Sequence, residues 1–368
     1  VQFVAIAAGM LGGSAIVDHV DRRLLLILTQ VGFGLTAGAL LGGSLLGDPP
    51  MTLIYISSAT GSAIASLHFP TRSAMIPPVV GRDELTTAMT LETVVWTTTM
   101  IVGPIVGGAT LGRFGLPAVY LFGVACHALT LTAMLPLQRQ PPRREGDEGR
   151  LGLTSILHGF AYMGPRPILK GLLWIDLIAM AFGMRRALFP ILAVEQFGRG
   201  PQVVGLLMAA IPAGALLVSL TGNWLAHVQR QGLGLVVAAA VWGAAIALFG
   251  LSGDHLWLAL MLLAIGGGAD VVAAILRATI IQREVPDHVR GRVWGINFLV
   301  LNGGPRLGDL TGGLAASAWG ATLSVVAGGV AALAGTGVYA LAVSEIPRYT
   351  SDDGIEPVED PAPWRAET

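Results

Sequence analysis

The residues best able to do chemistry are ionisable groups set inside apolar runs. Asp176, Arg185 and Arg186 share one run, Asp270 and Arg277 a second, Arg306 and Asp309 a third. A charge at bilayer depth is costly, so such groups mark ion pathways, proton relays or buried pairs. Asp270 lies deep in its run beside Gly266, Gly267 and Gly268, which makes it the first candidate for a proton-coupling carboxylate. Asp309 and Asp176 follow. Arg185, Arg186 and Arg306 are candidate cavity residues, because a guanidinium suits an anionic or polyhydroxylated ligand. Adjacent Arg185 and Arg186 cannot both face the same way on a helix. Asp270 and Arg277, seven residues apart, share a helix face, and Arg306 and Asp309, three apart, are within pairing reach. The alternative role for these groups is an ion-pair network that fixes packing, and Arg277 is its first candidate member.

Such groups require long apolar elements to hold them. The chain has 368 residues, 53% hydrophobic and only 12% charged, with 50 glycines and a net charge of −1. A soluble domain carries about 25% charged residues, so this composition excludes disorder, a collagen and most soluble enzymes. One cysteine, Cys126, excludes an internal disulfide and a cysteine metal cage. Breaking the chain at Gly/Pro clusters and charges gives about eleven runs long enough to span a bilayer. They lie near 1–17, 24–46, 51–70, 88–112, 116–137, 168–194, 202–226, 232–251, 256–281, 292–318 and 320–344. The fold class is all-α and polytopic. Residues 1–137 form a first bundle, 138–167 a solvated linker, 168–345 a second bundle, and 346–368 a disordered acidic tail.

Basic residues set the orientation. Alternate loops and the span ends beside them hold Arg22, Arg23, Arg72, Arg82, then Arg139, Arg143, Arg144, Arg150, Arg166 and Lys170 in and just after the linker, then Arg230, Arg283, Arg290 and Arg292. The opposite loops hold Arg113 and Arg199. The linker and tail are thus expected in the cytoplasm. The chain opens on Val1 inside an apolar run, so the first of twelve helices is expected to be missing. Trp174, Trp224, Trp257, Trp294 and Trp319 fall near span ends as an aromatic belt. Glu92 reads as an interface residue and His127 as a core histidine.

The two sides of the linker repeat each other. Arg72-Ser-Ala-Met-Ile, Pro78, Arg82 and Gly103-Pro-Ile-Val-Gly-Gly return as Arg277-Ala-Thr-Ile-Ile, Pro286, Arg290 and Gly304-Pro-Arg-Leu-Gly-Asp. The offsets are similar: 277 − 72 is 205, 286 − 78 is 208 and 304 − 103 is 201. Duplicated halves are typical of secondary transporters, with substrate bound between them near mid-membrane. Glycines one turn apart, Gly103 with Gly107, Gly108 with Gly112, and Gly304 with Gly308 and Gly312, allow backbones to approach closely. Pro104 can kink its helix.

These motifs resemble the major facilitator superfamily. Residues 13–23, GSAIVDHVDRR, are similar to its signature loop between the second and third helices. Residues 103–108, GPIVGG, resemble the antiporter motif of its fifth helix, at Gly103, Pro104, Gly107 and Gly108. Residues 176–190, 267–280, 285–293 and 303–309 look like the bacterial enterobactin-exporter-like siderophore exporters, except that Arg185 stands where Pro is expected. The resemblance implies a conformational latch at Gly13, Asp18, Arg22 and Arg23, with Asp18 docking at the helix end near 292–296 when the cytoplasmic side is closed. By the macrodipole alone, Asp18 at a helix C-terminus and Arg22 and Arg23 at the next N-terminus are unfavourable.

The chain has no Walker loop with lysine and no HExxH zinc motif, so no catalysis and no cofactor is expected. The expected function is export of a siderophore-like small molecule by proton antiport across the bacterial cell membrane, by a monomer whose partners are substrate, protons and lipid, with no nucleic acid. Multidrug or macrolide efflux is the alternative, and a non-transporting membrane sensor a third reading.

Overall fold

The computed structural model describes residues 20–47, 49–80, 84–138 and 153–350. The span at 1–17, the latch residues Gly13 and Asp18, the first part of the linker and the tail beyond 350 lie outside the described residues. Among the described residues every regular element is helical. The elements are α1 Arg22–Leu45, α2 Met51–Val80, α3 Leu85–Met134, α4 Leu153–Met163, α5 Pro167–Gly183, α6 Phe189–Glu195, α7 Pro201–Thr221, α8 Gln231–Gly250, α9 Leu256–Glu284, α10 Asp287–Trp319, α11 Ala321–Ala342 and α12 Glu345–Arg348. Short 3-10 turns at Arg186–Leu188 and Gly222–His227 connect α5 to α6 and follow α7.

Seven of the described helices are long and apolar enough to cross a membrane. One of these is α3, which is two helices joined at a sharp turn, so that Ala88 and Glu92 near its start and Met134 at its end line one pocket. Gly115 adopts φ 77° and ψ 179° and turns the chain between them. Gly320 does the same between α10 and α11, with φ 84° and ψ 162°. Both lie in the positive-φ region that residues with a Cβ rarely adopt, although open space surrounds them. The two glycines are 205 residues apart (320 − 115), the offset that also relates Arg72 to Arg277. Arg72 and Arg277 each lie 21 residues past the start of their helix (72 − 51 and 277 − 256). The sequence repeat is therefore also a repeat of backbone geometry.

Large apolar side chains cover the outside, including Leu220, Trp257, Val338 and Leu341. That exposure suits a bilayer, where lipid takes the place of water. Trp224, Trp257 and Trp319 are exposed at or next to helix ends, as an aromatic belt requires, whereas Trp174 is exposed midway along α5 and Trp294 is half-buried within α10 against the core.

Several boundaries differ from those read in the sequence. α2 continues to Val80 rather than ending near 70, passing through Pro70 and Pro77. α10 begins at Asp287, directly after Pro286, so 292–296 is inside the helix and not at its exposed N-terminus. The end of the linker is the helix α4, because Gly159 lets it lie against Arg292 and Ile296. The start of the tail is ordered: α12 buries Ile346, and Tyr349 is buried just beyond it. Gly171 and Gly232 supply the space, and the Tyr349 hydroxyl donates to Glu284 at 2.8 Å. The run at 168–194 is not one helix; it breaks at Met184 and Arg185.

The two halves meet where α3 packs on α7. A Cβ on Gly108 would lie 2.6 Å from the Pro201 carbonyl, and one on Gly205 would lie 2.3 Å from the Pro104 carbonyl. Gly112 sits against the Gln202 side chain. This seam lies near Arg113 and Arg199, the end poor in arginine. Gly108 and Gly112 make the close approach, whereas Gly103 and Gly107 face open space. The second ladder packs within its own half: Gly304 rests on Met180, Gly308 on the carbonyls of Met180 and Met184, and Gly312 on Arg185. Overpacking costs about 1–3 kcal/mol. Gly308→Leu is therefore expected to lower the melting temperature in detergent, and Gly103→Leu to leave it unchanged.

Candidate functional site

The site is organised around the break that follows α5. A helix end leaves its last carbonyls without partners, and in a bilayer something other than water must supply them. Met184 N–H bonds back to Met180. The Thr311 hydroxyl on α10 donates to the Ala181 carbonyl at 2.9 Å. Arg185 Nε donates to Phe182 at 3.0 Å, and Trp242 Nε1 on α8 donates to Ala179 at 3.1 Å. On the far side of the break, the Asp309 carboxylate accepts the Ala187 N–H at 2.9 Å. Asp309 is thereby fixed at the start of the 3-10 turn, where a negative charge also meets the positive end of the following helix.

Arg185 is buried in this arrangement. Its guanidinium also donates to the Ser324 hydroxyl, which in turn donates to the Gly312 carbonyl at 2.8 Å. Gly312 and Gly328 leave the space it fills. Arg185 thus ties α10 and α11 to the break and does not line the cavity, contrary to the reading from sequence. Its neighbour Arg186 points elsewhere and lies in the electrostatic field of Asp270, Asp309 and Arg306.

Asp176 and Arg277 form a buried ion pair between α5 and α9, with side chains 4% and 5% exposed. Arg277 thus takes its partner from another helix rather than from Asp270 on its own face. Asp270 interacts electrostatically with Asp176, Arg277 and Arg186. It shares with Asp176, Arg277 and Trp242 the wall of a void of about 10 Å³, room for about one water. Asp176 Oδ2 has no hydrogen-bond partner among the described residues and is buried. The ionisable groups therefore run in sequence from Arg277 and Asp176 through Asp270 and Arg186 to Asp309 and Arg306.

The chain of charges ends at a cavity of about 620 Å³ between α2 and α10. Ser57, Ser58, Ser62, Ser66 and Ser73 line one side, with Gly61 and Ala65 between them; Phe298, Asn302 and Arg306 line the other. Ser62 and Ser66 donate to their own helix at Ser58 (2.8 Å) and Ala63 (2.7 Å). Their remaining capacity is as acceptors. Of the three arginines expected in the cavity, Arg306 is among its lining residues; Arg185 and Arg186 are not. The serine spacing in α2 is a signal present in the sequence that a search for charges passes over.

In the first half, Arg22 and Arg23 have partners that ease their placement at a helix N-terminus. Asp21 caps α1 by accepting from the backbone of Arg23 and Leu24. Arg22 reaches the Ala74 carbonyl at 3.4 Å, a group whose usual helix donor is missing because Pro78 has no N–H. Arg23 donates to Leu135 at 2.6 Å, at the end of α3, where a cation is favoured. Glu92 pairs with Arg72 across α2 and α3. His127 Nδ1 meets the Gln30 amide at 2.9 Å and its ring stacks on Phe33, whose other contact is the ring of His68. His68 and Gln30 were not singled out by sequence reading; their contacts come from three different helices.

A duplicated, all-helical chain with a polar cavity between its halves and buried charges leading to it is a multi-pass membrane transporter of the major facilitator class. Residues 1–364 match the transmembrane secretion effector family of that class. The chain is 30% identical over 294 residues to the enterobactin exporter EntS of Shigella boydii and to that of Citrobacter koseri, covering 79% of this chain and 69% of each relative. It belongs to the major facilitator superfamily, among its enterobactin-exporter-like transmembrane secretion effectors. Its fold is also similar to a POT family transporter in complex with 5-aminolevulinic acid, with TM-score 0.72, 13% identity and coverage of 94% and 86% of the two chains. A nucleoside transporter, NupG, aligns with TM-score 0.70, 14% identity and coverage of 95% and 89%.

Breaking a buried ion pair at one partner costs about 3–5 kcal/mol, whereas replacing both with apolar groups costs far less. Asp176→Leu is expected to lower the melting temperature strongly, and Asp176→Leu with Arg277→Met to recover most of the loss. Additive losses in thermal unfolding would mean that the pair does not act as a unit.

Proposed function

We propose that this protein exports a siderophore-like small molecule by proton antiport across a bacterial inner membrane. The observation that carries the reading is the row of charges from Asp270 to Arg306 on the cavity wall. One wall of that cavity offers serine acceptors and the other a guanidinium. A ligand with hydroxyl donors and an anionic oxygen satisfies both walls. The name of the EntS relatives, enterobactin exporters, supports the same substrate class.

Coupling follows from electrostatics. When Asp270 takes a proton, Arg186 loses one of its two acidic neighbours and is left to Asp309 beside Arg306. The field at the cavity wall changes, and with it the affinity for an anionic ligand. The seam between α3 and α7 is closed at the arginine-poor end, so the cavity in this arrangement loads from the arginine-rich side, taken as cytoplasmic. Domain limits near 137 and 168, a cytoplasmic tail and a monomeric state complete this reading.

The test is enterobactin flux in proteoliposomes with an imposed pH gradient. Wild-type flux is expected to follow the gradient. Asp270→Asn is expected to reduce gradient-driven flux by about tenfold or more, equivalent to about 1.4 kcal/mol, while retaining movement down a substrate gradient. Arg306→Gln is expected to weaken substrate binding and, with it, the dependence of flux on the pH gradient. Gradient-independent flux in the wild type, or wild-type coupling in Asp270→Asn, would contradict the proposal.

A further inference from the structure

The outer face of the second half carries an apolar groove of about 640 Å³ between α7, α8 and α9. Gly214, Gly234 and Gly268 stand on its walls, where they let the three helices pack closely along its floor. A Cβ on Gly268 would come within 2.9 Å of Val218, and one on Gly234 within 2.9 Å of Leu276. Leu217, also on its wall, is largely exposed, so the groove faces the surrounding hydrocarbon and is separate from the serine-lined cavity.

One end of the groove has a different character. There the chain leaves α7 through the 3-10 turn Gly222–His227, whose Trp224 lines the groove and is half exposed. Arg230, exposed, then stands as the residue immediately before α8. A tryptophan at this position marks the interface between hydrocarbon and headgroups. Arg230 lies two residues beyond Val228 and four before Gly234, both on the groove wall, and a basic residue beside a crevice between membrane helices attracts an anionic headgroup. This end also belongs to the arginine-rich side of the protein.

We propose that the groove is a binding site for one anionic phospholipid, with an acyl chain between α7, α8 and α9 and the headgroup phosphate at Arg230. A free phosphate would have no use for the apolar length of the groove, and a neutral lipid none for the arginine. The floor of the groove includes Gly268 and Ala269, next to Asp270 on α9. A bound chain therefore packs against the helix that carries this carboxylate.

The test measures lipid binding, so its outcome is independent of transport. Detergent-stripped protein is titrated with dioleoyl phosphatidylglycerol or dioleoyl phosphatidylcholine, and native mass spectrometry gives the affinity of the first bound lipid. The wild type is expected to prefer phosphatidylglycerol by about fivefold, the contribution of one basic residue near a membrane surface. Arg230→Gln should remove the preference while still binding phosphatidylcholine. Ala264→Phe, which fills the groove, should weaken both lipids. Arg199→Gln, an equal loss of charge at an exposed residue of the opposite end, should leave the preference unchanged. If Ala264→Phe fails to fold, the comparison of Arg230→Gln with Arg199→Gln decides alone. The proposal is overturned by equal wild-type affinities, by a preference that survives Arg230→Gln, or by an equal loss in Arg199→Gln.

Discussion

A helix that breaks inside a membrane exposes carbonyl and N–H groups that hydrocarbon cannot satisfy. The break after Gly183 is tolerable because side chains from three other positions in the fold meet it: Trp242, Thr311 and Asp309, with Arg185 closing on its own turn. Each is held by close packing of small residues. Gly308 brings α10 against the carbonyls of Met180 and Met184, and Gly312 and Gly328 admit the Arg185 side chain. Irregular backbone at membrane depth is found where protein or a water-filled cavity surrounds it. Here the same irregularity fixes Asp309 and positions Arg186 among Asp270, Asp309 and Arg306, so the requirement to satisfy backbone groups also assembles the polar centre.

The polar centre conflicts with the apolar composition needed to cross a bilayer, and the fold divides the two demands among helices. α2 and α10 bear the polar groups of the cavity, and neither is among the seven described helices apolar enough to cross a membrane on composition alone. The helices around them provide the lipid-facing surface. Duplication gives both halves the same plan: a helix carrying an arginine at the same depth, then a proline-containing helix ended by a glycine with positive φ. The partners differ. Arg72 pairs with Glu92 in one half, and Arg277 with Asp176 in the other. The half that holds Asp176 and Asp270 is the one whose charges continue to the cavity.

Much of this was legible in the sequence. Apolar runs gave most of the helices, because a helix facing lipid must be largely apolar. Embedded charges gave the polar centre, since few are tolerated there. The repeated arginine, proline and glycine positions gave the two halves. What was not legible depends on direction. Seven-residue spacing put Asp270 and Arg277 on one face but could not say that Arg277 turns to Asp176. Adjacent Arg185 and Arg186 must diverge, but which one enters the protein depends on space left by Gly312 and Gly328, far away in the chain. The ordered start of the tail rests on Ile346 and Tyr349 filling gaps at Gly171 and Gly232, a match between remote positions that no local pattern records.

In the proposed mechanism a proton at Asp270 and a ligand at Arg306 influence each other through Arg186 and Asp309. Linkage requires the influence to be mutual. The direct measurement is the number of protons exchanged with weakly buffered solution when enterobactin binds the purified protein. The account predicts net proton exchange on binding that disappears in Asp270→Asn while binding persists. Binding without any proton exchange in the wild type, or the same exchange in Asp270→Asn, would contradict it.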